Sequence, residues 1–254
     1  MITVYKPIGI SCVDLIKILQ EKNEYKGRKM GATGRLDEMA HGAVIILLDE
    51  ETKNTKLYHE LDKTYKFRFI VGLETDTTSV LGIFQNKDNC NELDINLISK
   101  TILDFRSTEF MQEYHVYSSY CPKNSSSLKK PLWWWTKEKR LNEILEMPKK
   151  KVHVYDIAIK NIKYIALEEF IAESLENLSK IKRGNLRQDE IIEQWSTYYA
   201  AQDKATKFVE FECEIKVSSG FYIRQFVKDL GKMLNLNVLV TEIERLSCDV
   251  KKVK

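Results

Sequence analysis

The sequence is poor in the residues that mark fibrous, disulfide-rich or metal-binding chains. Its 254 residues include four prolines, ten glycines, five cysteines and four histidines. So little proline and glycine excludes collagen-like and low-complexity chains. The cysteines are odd in number, far apart and without a Cys-x-x-Cys motif, and no histidine lies near them at metal-ligand spacing. We therefore expect reduced thiols in an intracellular protein and no structural zinc or other metal site.

Long hydrophobic runs and a targeting segment are lacking as well. No apolar run approaches the ~18–20 residues that span a bilayer. The strand-like segment ITVY begins at residue 2 and leaves no room for a signal or transit peptide. We expect a cytoplasmic protein without a membrane partner.

Composition and charge are those of an ordinary globular protein. Hydrophobic residues make up 43% of the chain and charged residues 30%, enough for a sizeable core in one large or two modest domains. The net charge of +3 says little, but basic residues cluster at 129–140, 148–151 and 251–254. Such clusters suit a polyanionic partner, although a solvated surface explains each one alone.

Hydrophobic periodicity predicts a mixture of strands and helices without a regular βαβ order. Alternating or continuous apolar patterns predict strands, and 3.6-residue patterns predict helices, the first of them opened by Ser11. In the segment 208–220 the alternation is clean and predicts an antiparallel strand with one wet face. A charge-rich segment at 165–205 is predicted as a helical hairpin inserted between two strands and broken at 183–185. The predicted strands cover 2–5, 43–50, 64–72 and 208–220, and the predicted helices 11–22, 92–105 and 222–235. The fold class is therefore α+β with a largely antiparallel sheet.

Common catalytic motifs are missing. GATG at 31–34 is too short for a P-loop, and no Gly-x-Ser-x-Gly occurs. Three separated elements remain: Asp37 after a glycine-bearing turn, Tyr65 in an alternating strand, and the segment 218–231. Taken singly, each suits a structural role better than a catalytic one.

Together these elements resemble the TruB family of RNA pseudouridine synthases. The matching blocks are VYKPIGISCVDLIKIL (4–19), GATGRLDEMAHGAVIILL (31–48), LDKTYKFRFIVGLETDTTSVLG (61–82) and SSGFYIRQFVKDLG (218–231). Weaker matches run through KKPLWWWTKEKRL and PKKKVHVYDI. The GRLD form also resembles the catalytic loops of other pseudouridine synthase families, so it indicates the reaction class, whereas the third block indicates the family.

The resemblance implies a pseudouridine synthase fold, with a mostly antiparallel mixed sheet, flanking helices and a catalytic cleft. It implies cofactor-free isomerisation of uridine, in which Asp37 either attacks C1′ or removes the 2′-hydrogen. Arg224 would pair with Asp37, Tyr65 would stack on the flipped uracil, and Tyr222 would belong to the pocket wall. The remaining substrate-binding candidates are Lys6, Gly34, Arg35, Leu36 and Ile243.

Candidate RNA-binding residues come from the basic and aromatic clusters. They are Lys129, Lys130, Trp133, Trp134, Lys149 and Lys150. Lysines and exposed aromatic rings contact phosphates and unstacked bases. Two alternatives remain open: the tryptophans at 133–135 pack a β-hairpin onto the body, and the lysines at 149–151 merely decorate the start of a strand.

Several positions depart from the family pattern and bear on the substrate. Ala32 stands where the family has His, Glu38 replaces a Pro, His41 a Thr, and Glu244 an Arg. The resemblance implies the tRNA T-arm as partner and its T-loop uridine (position 55) as substrate. We expect a monomer. Another RNA, or a non-catalytic RNA-binding or RNA-folding role, remains as an alternative. We expect one catalytic domain over residues 1–254, without the small C-terminal PUA domain of many relatives.

Overall fold

The computed structural model describes residues 1–87, 93–122, 129–181 and 186–250. The predicted break at 183–185 and the basic cluster at 251–254 lie outside these residues. The strands are β1 (Ile2–Lys6), β2 (Met30–Thr33), β3 (Ala40–Leu48), β4 (Lys63–Val71), β5 (Leu73–Thr75), β6 (Phe84–Lys87), β7 (Thr108–Glu113), β8 (Lys149–Ala166), β9 (Lys207–Val217) and β10 (Val238–Cys248). The helices are α1 (Cys12–Gln20), α2 (Thr55–His59), α3 (Ile95–Leu103), α4 (Leu132–Lys137), α5 (Leu167–Ser179), α6 (Gln188–Ala201) and α7 (Ile223–Leu234).

One eight-stranded sheet forms the centre of the molecule. Its strand order is β1-β3-β10-β4-β9-β8-β7, and β2 pairs with the far end of β3. The pairing of β10 with β3 is parallel, whereas the other pairs of this sheet are antiparallel. The predicted mostly antiparallel mixed sheet with flanking helices is therefore confirmed.

The alternating residues of β4 and β9 build the larger core on one face of the sheet. Phe67, Phe69 and Phe211 point to this face, and all three are buried. Phe69 stacks on Phe211 with ring centroids 5.2 Å apart. Helices α3 and α7 cover this face through residues such as Ile98 and Phe226. The alternation predicted from the sequence is confirmed here because one side of each strand meets these helices.

Helices α5 and α6 cover part of the opposite face. They connect the neighbouring strands β8 and β9 and pack Phe170 and Trp195 against the sheet. The prediction of one wet face on β9 is wrong at this end, where Glu210 is buried. Arg68 of β4 compensates the buried charge, because its guanidinium lies 3.4 Å from the Glu210 carboxylate and also pairs with Glu173 of α5.

Two local segments, the start of α1 and the tryptophan segment, show how far the sequence patterns predict structure. Ser11 caps α1 in a capping box: its hydroxyl accepts the Asp14 backbone N–H, and the Asp14 carboxylate accepts the Ser11 N–H. The tryptophan segment forms α4, so the β-hairpin alternative is wrong. The expected packing nevertheless occurs, since Trp135 is fully buried and its indole N–H donates to the Lys130 carbonyl at 3.0 Å.

Candidate active site

The loop between β2 and β3 carries Asp37. Gly34 begins this loop with a φ of +67°, a conformation that favours glycine. A turn closed by the Ala40 N–H and the Asp37 carbonyl, 3.1 Å apart, leads into β3. The N-terminal loop supports this turn, because the Gly9 N–H donates to the Glu38 carbonyl at 2.9 Å. The Asp37 side chain is thereby held on a braced loop and stays half exposed.

Asp37 forms an ion pair with Arg224, as the family resemblance predicts. The Arg224 guanidinium lies 2.6 Å from the Asp37 carboxylate, and its side chain is only 10% exposed. The first turn of α7 carries Arg224, and its second guanidinium nitrogen donates to the Thr77 carbonyl at 3.1 Å. An arginine keeps its charge in a protein, so the carboxylate faces a permanent, fixed cation.

Tyr65 and Tyr222 lie close to this pair. Tyr65 is buried on β4, and burial raises the pKa of its phenol despite the hydrogen bond with Arg245. Burial also raises the pKa of Tyr222, with further contributions from Tyr114 and Asp37. Tyr222 packs edge-on against Tyr114 with ring centroids 5.2 Å apart. Both phenols are therefore protonated at neutral pH.

Gln112 fixes the main chain of Tyr222. Its side-chain carbonyl accepts the Tyr222 N–H at 2.9 Å, and its amide donates to the Tyr222 carbonyl at 3.2 Å. Gln112 lies on the edge strand β7 and is buried. The pair of hydrogen bonds sets where α7 begins and therefore where Arg224 points.

Arg245 is a site residue that the sequence interpretation missed. It is fully buried on β10 and donates to the Ala43 carbonyl at 2.6 Å and to the Gly34 carbonyl at 2.9 Å. Its register partner on β4 is Tyr65. Arg245 thus joins the loop that carries Asp37 to the strand that carries Tyr65. The period-2 alternation from Ile243 could have placed it on the same face.

A polar loop after β5 anchors Arg224 from the other side. Thr77 of this loop supplies the carbonyl that accepts from Arg224, and Thr78 next to it has a positive φ of 54°. His115 is fully buried beside it, with Nδ1 accepting the Tyr117 N–H at 3.1 Å and Nε2 3.4 Å from the Thr78 hydroxyl. Burial and the Arg224 charge hold the pKa of this imidazole well below its usual value.

Asp76 connects the same loop to the helical pair α5–α6. It accepts from the Tyr117 hydroxyl at 2.6 Å and from Arg187 at 2.7 Å. The Arg187 guanidinium also lies 5.2 Å from the centroid of the Tyr117 ring. The start of α6 is therefore tied to the wall of the site by charge and by cation–π contact.

A cleft of about 660 Å³ opens above these residues. Of the predicted site residues, Asp37, Arg224, Ile243 and Trp133 line it. The other walls come from the loop after Asp37, the segment 77–81, α4 and the start of α6, through residues that include Glu38, Met39, Thr77, Ser79, Tyr117, Lys139, Leu186 and Arg187. This volume falls in the usual range for small-molecule sites, about 300–1,000 Å³.

The structure places other predicted residues beside or beneath the cleft. Lys6 is fully buried and donates to the Pro7 and Ile10 carbonyls at 3.0 and 2.8 Å, so it supports the loop instead of presenting a surface to substrate. Burial lowers its pKa to about 8. Leu36 packs against two hydrophobic clusters, whereas the Arg35 side chain is exposed next to it.

The predicted RNA-binding residues fall into two groups. Around α4, Lys129 and Lys130 are exposed, and the Lys130 ammonium lies 5.7 Å from the Trp134 ring centroid. Trp133 presents 43% of its surface to solvent. At the start of β8, Lys149 pairs with Glu113 at 3.4 Å, whereas Lys150 donates to the Ser219 hydroxyl at 3.0 Å. The expected strand start at these lysines is confirmed.

Two of the departures from the family pattern have local partners. His41 lies 3.0 Å from the Glu242 carboxylate through Nε2 and is hydrogen-bonded to the Tyr5 hydroxyl through Nδ1. Glu244 pairs with Lys66 at 2.9 Å. The reversed charge at position 244 is therefore compensated within the sheet.

Across the described residues, no group of three or more His, Cys, Asp or Glu side chains is arranged to hold a metal ion. None of the helices in the described ranges combines the length and apolarity needed to cross a bilayer.

Comparison with known proteins identifies the family. Residues 22–174 match the family described as TruB family pseudouridylate synthase (N terminal domain). The chain is 29% identical over 248 residues to tRNA pseudouridine synthase B of Aquifex aeolicus (strain VF5), covering 96% of the chain and 66% of that relative. It is 26% identical over 240 residues to the protein of the same name from Mycoplasma mobile, covering 94% of the chain and 65% of the relative. The chain thus spans slightly less than two thirds of the length of these relatives.

Solved structures support the fold. A crystal structure of a Cbf5-Nop10-Gar1 complex matches with a TM-score of 0.53 at 14% identity, covering 97% of this chain and 48% of the matched one. An H/ACA RNP bound to a substrate RNA containing 2′-deoxyuridine matches with a TM-score of 0.52 at 13% identity, covering 97% and 46%. Because the family model matches more than half of the chain, the chain belongs to the TruB family of pseudouridylate synthases.

Proposed function

We propose that this protein isomerises uridine to pseudouridine in RNA, with the T-loop uridine of tRNA (position 55) as its target and Asp37 as the catalytic carboxylate. The observation that carries the proposal is the Asp37–Arg224 ion pair at the cleft, 2.6 Å long. Family membership supports the reaction class, and the relatives named tRNA pseudouridine synthase B support tRNA as the substrate.

The reaction breaks the bond between N1 and C1′, rotates the base, and forms a bond between C5 and C1′. A hydrogen leaves C5 and N1 gains one, so no redox cofactor is required. The carboxylate of Asp37 either attacks C1′ or removes the 2′-hydrogen. Both steps need an ionised, positioned oxygen, and Arg224 supplies the opposite charge and the position.

Residues in and next to the cleft have supporting roles in this proposal. Tyr65 and Tyr222 hold the flipped uracil, and the protonated phenols avoid adding negative charge beside Asp37. Ile243 offers an apolar surface beneath the base. Removing the uridine from its stack costs a few kcal/mol, which phosphate and aromatic contacts outside the cleft must offset.

The experiment uses an in vitro transcribed T-arm stem-loop, hairpins with uridine in unrelated loops, and total cellular RNA. Pseudouridine at the T-loop position alone is the expected result. Product in another RNA but not in the T-arm would favour the alternative substrate that Ala32 suggests. Binding of RNA without product in any pool would favour the non-catalytic role. Residence in the cytoplasm, a monomeric state and a single catalytic domain stay predictions.

A further inference from the structure

Four basic side chains form a cluster beside the catalytic loop, outside the residues that line the cleft. The cluster consists of Arg35 in the loop, His59 at the end of α2, Lys63 at the start of β4, and Lys150 at the start of β8. We name these four residues the basic corner. Arg35 stands two residues before Asp37 in the sequence, and Lys63 two residues before Tyr65. The basic corner therefore adjoins both the carboxylate and a tyrosine of the site.

The lysines of the basic corner are held by neutral oxygens. Lys63 donates to the Leu61 carbonyl and, at 3.4 Å, to the His59 carbonyl. Lys150 donates to the Ser219 hydroxyl at 3.0 Å. Within the described part of the chain, Arg35, Lys63 and Lys150 have no carboxylate within ion-pair distance. Their positive charges are thus left for an outside partner.

Two glycines allow this arrangement. A Cβ added at Gly34 would lie 3.3 Å from Cε of Lys63, which runs beneath the catalytic loop. A Cβ added at Gly220 would lie 2.4 Å from Nζ of Lys150, so a side chain there would displace the lysine. Both glycines have positive φ. The backbone is therefore shaped to let these cations lie close against it.

The flanking lysines of β8 differ from Lys150. Lys149 pairs with Glu113 at 3.4 Å, and Lys151 pairs with Glu109 at 2.6 Å. Alternation along the strand sends Lys150 to the opposite face, where the basic corner lies. Of these three consecutive lysines, two form ion pairs with glutamates of β7, and Lys150 does not.

Like charges in the basic corner repel one another. Burial, then Lys63, Arg35 and Lys150, lowers the pKa of His59. Burial, together with the charges of Arg245 and Lys150, lowers the pKa of Lys63 to about 8, against the opposing effects of Cys248 and Asp62. Burial lowers the pKa of Lys150, and the Glu60 carboxylate opposes this shift. The corner is a local excess of positive charge, and such a field attracts anions.

We propose that the basic corner is a phosphate-binding site for the RNA backbone next to the target uridine. This inference rests on the proposed function for the nature of the ligand. When a base enters the cleft at Asp37, its backbone must remain outside. Arg35 and Lys150 grip a phosphate on the loop side of the carboxylate, and Lys63 reinforces the charge from below. Such contacts position the strand without reading its sequence.

The test measures RNA affinity against NaCl concentration for the full chain, with a T-arm stem-loop and an unrelated hairpin. The variants are Lys150→Gln and Arg35→Gln, and the matched control is Lys151→Gln, which removes the same charge one residue away. For a phosphate contact we expect the log–log salt slope to fall by about 1 in each variant, and affinity to fall equally for both RNAs. The control should keep the wild-type slope.

The possible outcomes of these measurements distinguish a failure of this inference from a failure of the proposed function. A Lys150→Gln slope equal to that of Lys151→Gln would overturn the phosphate site, whatever the activity. Failure of the wild type to make pseudouridine would count against the proposed function but leaves the slope comparison intact. As a second readout, RNA binding should raise the pKa of His59 in an NMR titration, because a phosphate then faces the imidazole. An unchanged His59 titration on saturation with RNA would also contradict the site.

Discussion

The close contact between β3 and β10 gives a sharp test of how the site is built. Gly42 in β3 has a φ of +110°, and a Cβ there would lie 2.3 Å from the Arg245 carbonyl oxygen and 2.7 Å from its nitrogen. These are main-chain atoms, so no side chain can rotate away. Gly27 offers a matched control, since it has a φ of +75° with no atom within 4 Å of an added Cβ.

The expected magnitudes follow from these two environments. A side chain at a left-handed position costs about 1–2 kcal/mol, which both Gly27→Ala and Gly42→Ala incur. Overpacking against a fixed neighbour adds about 1–3 kcal/mol at Gly42 alone. We therefore expect the free energy of unfolding to fall by about 1–2 kcal/mol for Gly27→Ala and by about 2–5 kcal/mol for Gly42→Ala.

Urea denaturation of both variants measures the difference, and thermal melting checks it at about 2–4 °C per kcal/mol for a chain of this size. Gly42→Ala should also slow catalysis at temperatures where the variant is fully folded, because Arg245 donates to the Gly34 carbonyl and pairs in register with Tyr65. Equal destabilisation by the two alanines would refute the proposed close approach of β3 and β10.

Three further predictions concern the supports of the site. Gln112→Ala removes both hydrogen bonds to the Tyr222 main chain and should lower the free energy of unfolding by about 2–4 kcal/mol, and should also lower kcat. Denaturation measures the first effect and single-turnover kinetics the second. A loss of stability below about 1 kcal/mol would contradict the structural role of these two hydrogen bonds. His115 has a lowered pKa in the folded protein, so as pH falls its imidazole is protonated in the unfolded chain before it is protonated in the folded one. Stability should therefore fall as pH drops below about 6.5. His115→Gln should flatten that fall in melts from about pH 7 down to about pH 5, whereas an unchanged slope would assign the fall to other groups. Ser11→Ala should cost about 1 kcal/mol through the lost cap of α1, and no loss in denaturation would contradict the capping box.

The sequence was most informative where local patterns decide structure. Alternation placed Phe67 and Phe211 on the buried face, because a strand sends every second residue to one side. The capping residues Ser11 and Asp14 marked the start of α1. The pairing of Asp37 with Arg224 was predicted from the resemblance between motifs. These two residues are 187 positions apart in the chain, so no local pattern could predict their contact.

The residues that were missed depend on tertiary contacts. Arg245, His115 and Gln112 each contact a segment far away in sequence. Alternation from Ile243 can place Arg245 on a face of the sheet, but no local pattern shows which distant segment each of these side chains contacts. Glu210 was expected on a wet face because its strand alternates. Helix α5 covers that end of the sheet and brings Arg68 and Glu173 into one ion network with it.

The most direct test of the central claim compares wild type with Asp37→Asn on the T-arm stem-loop under single-turnover conditions. The variant keeps the size of the side chain and can still accept from Arg224, so binding of the RNA should persist. We expect pseudouridine from the wild type and none above background from Asp37→Asn. Product formed at the wild-type rate by the variant would contradict the assignment of Asp37 as the catalytic carboxylate.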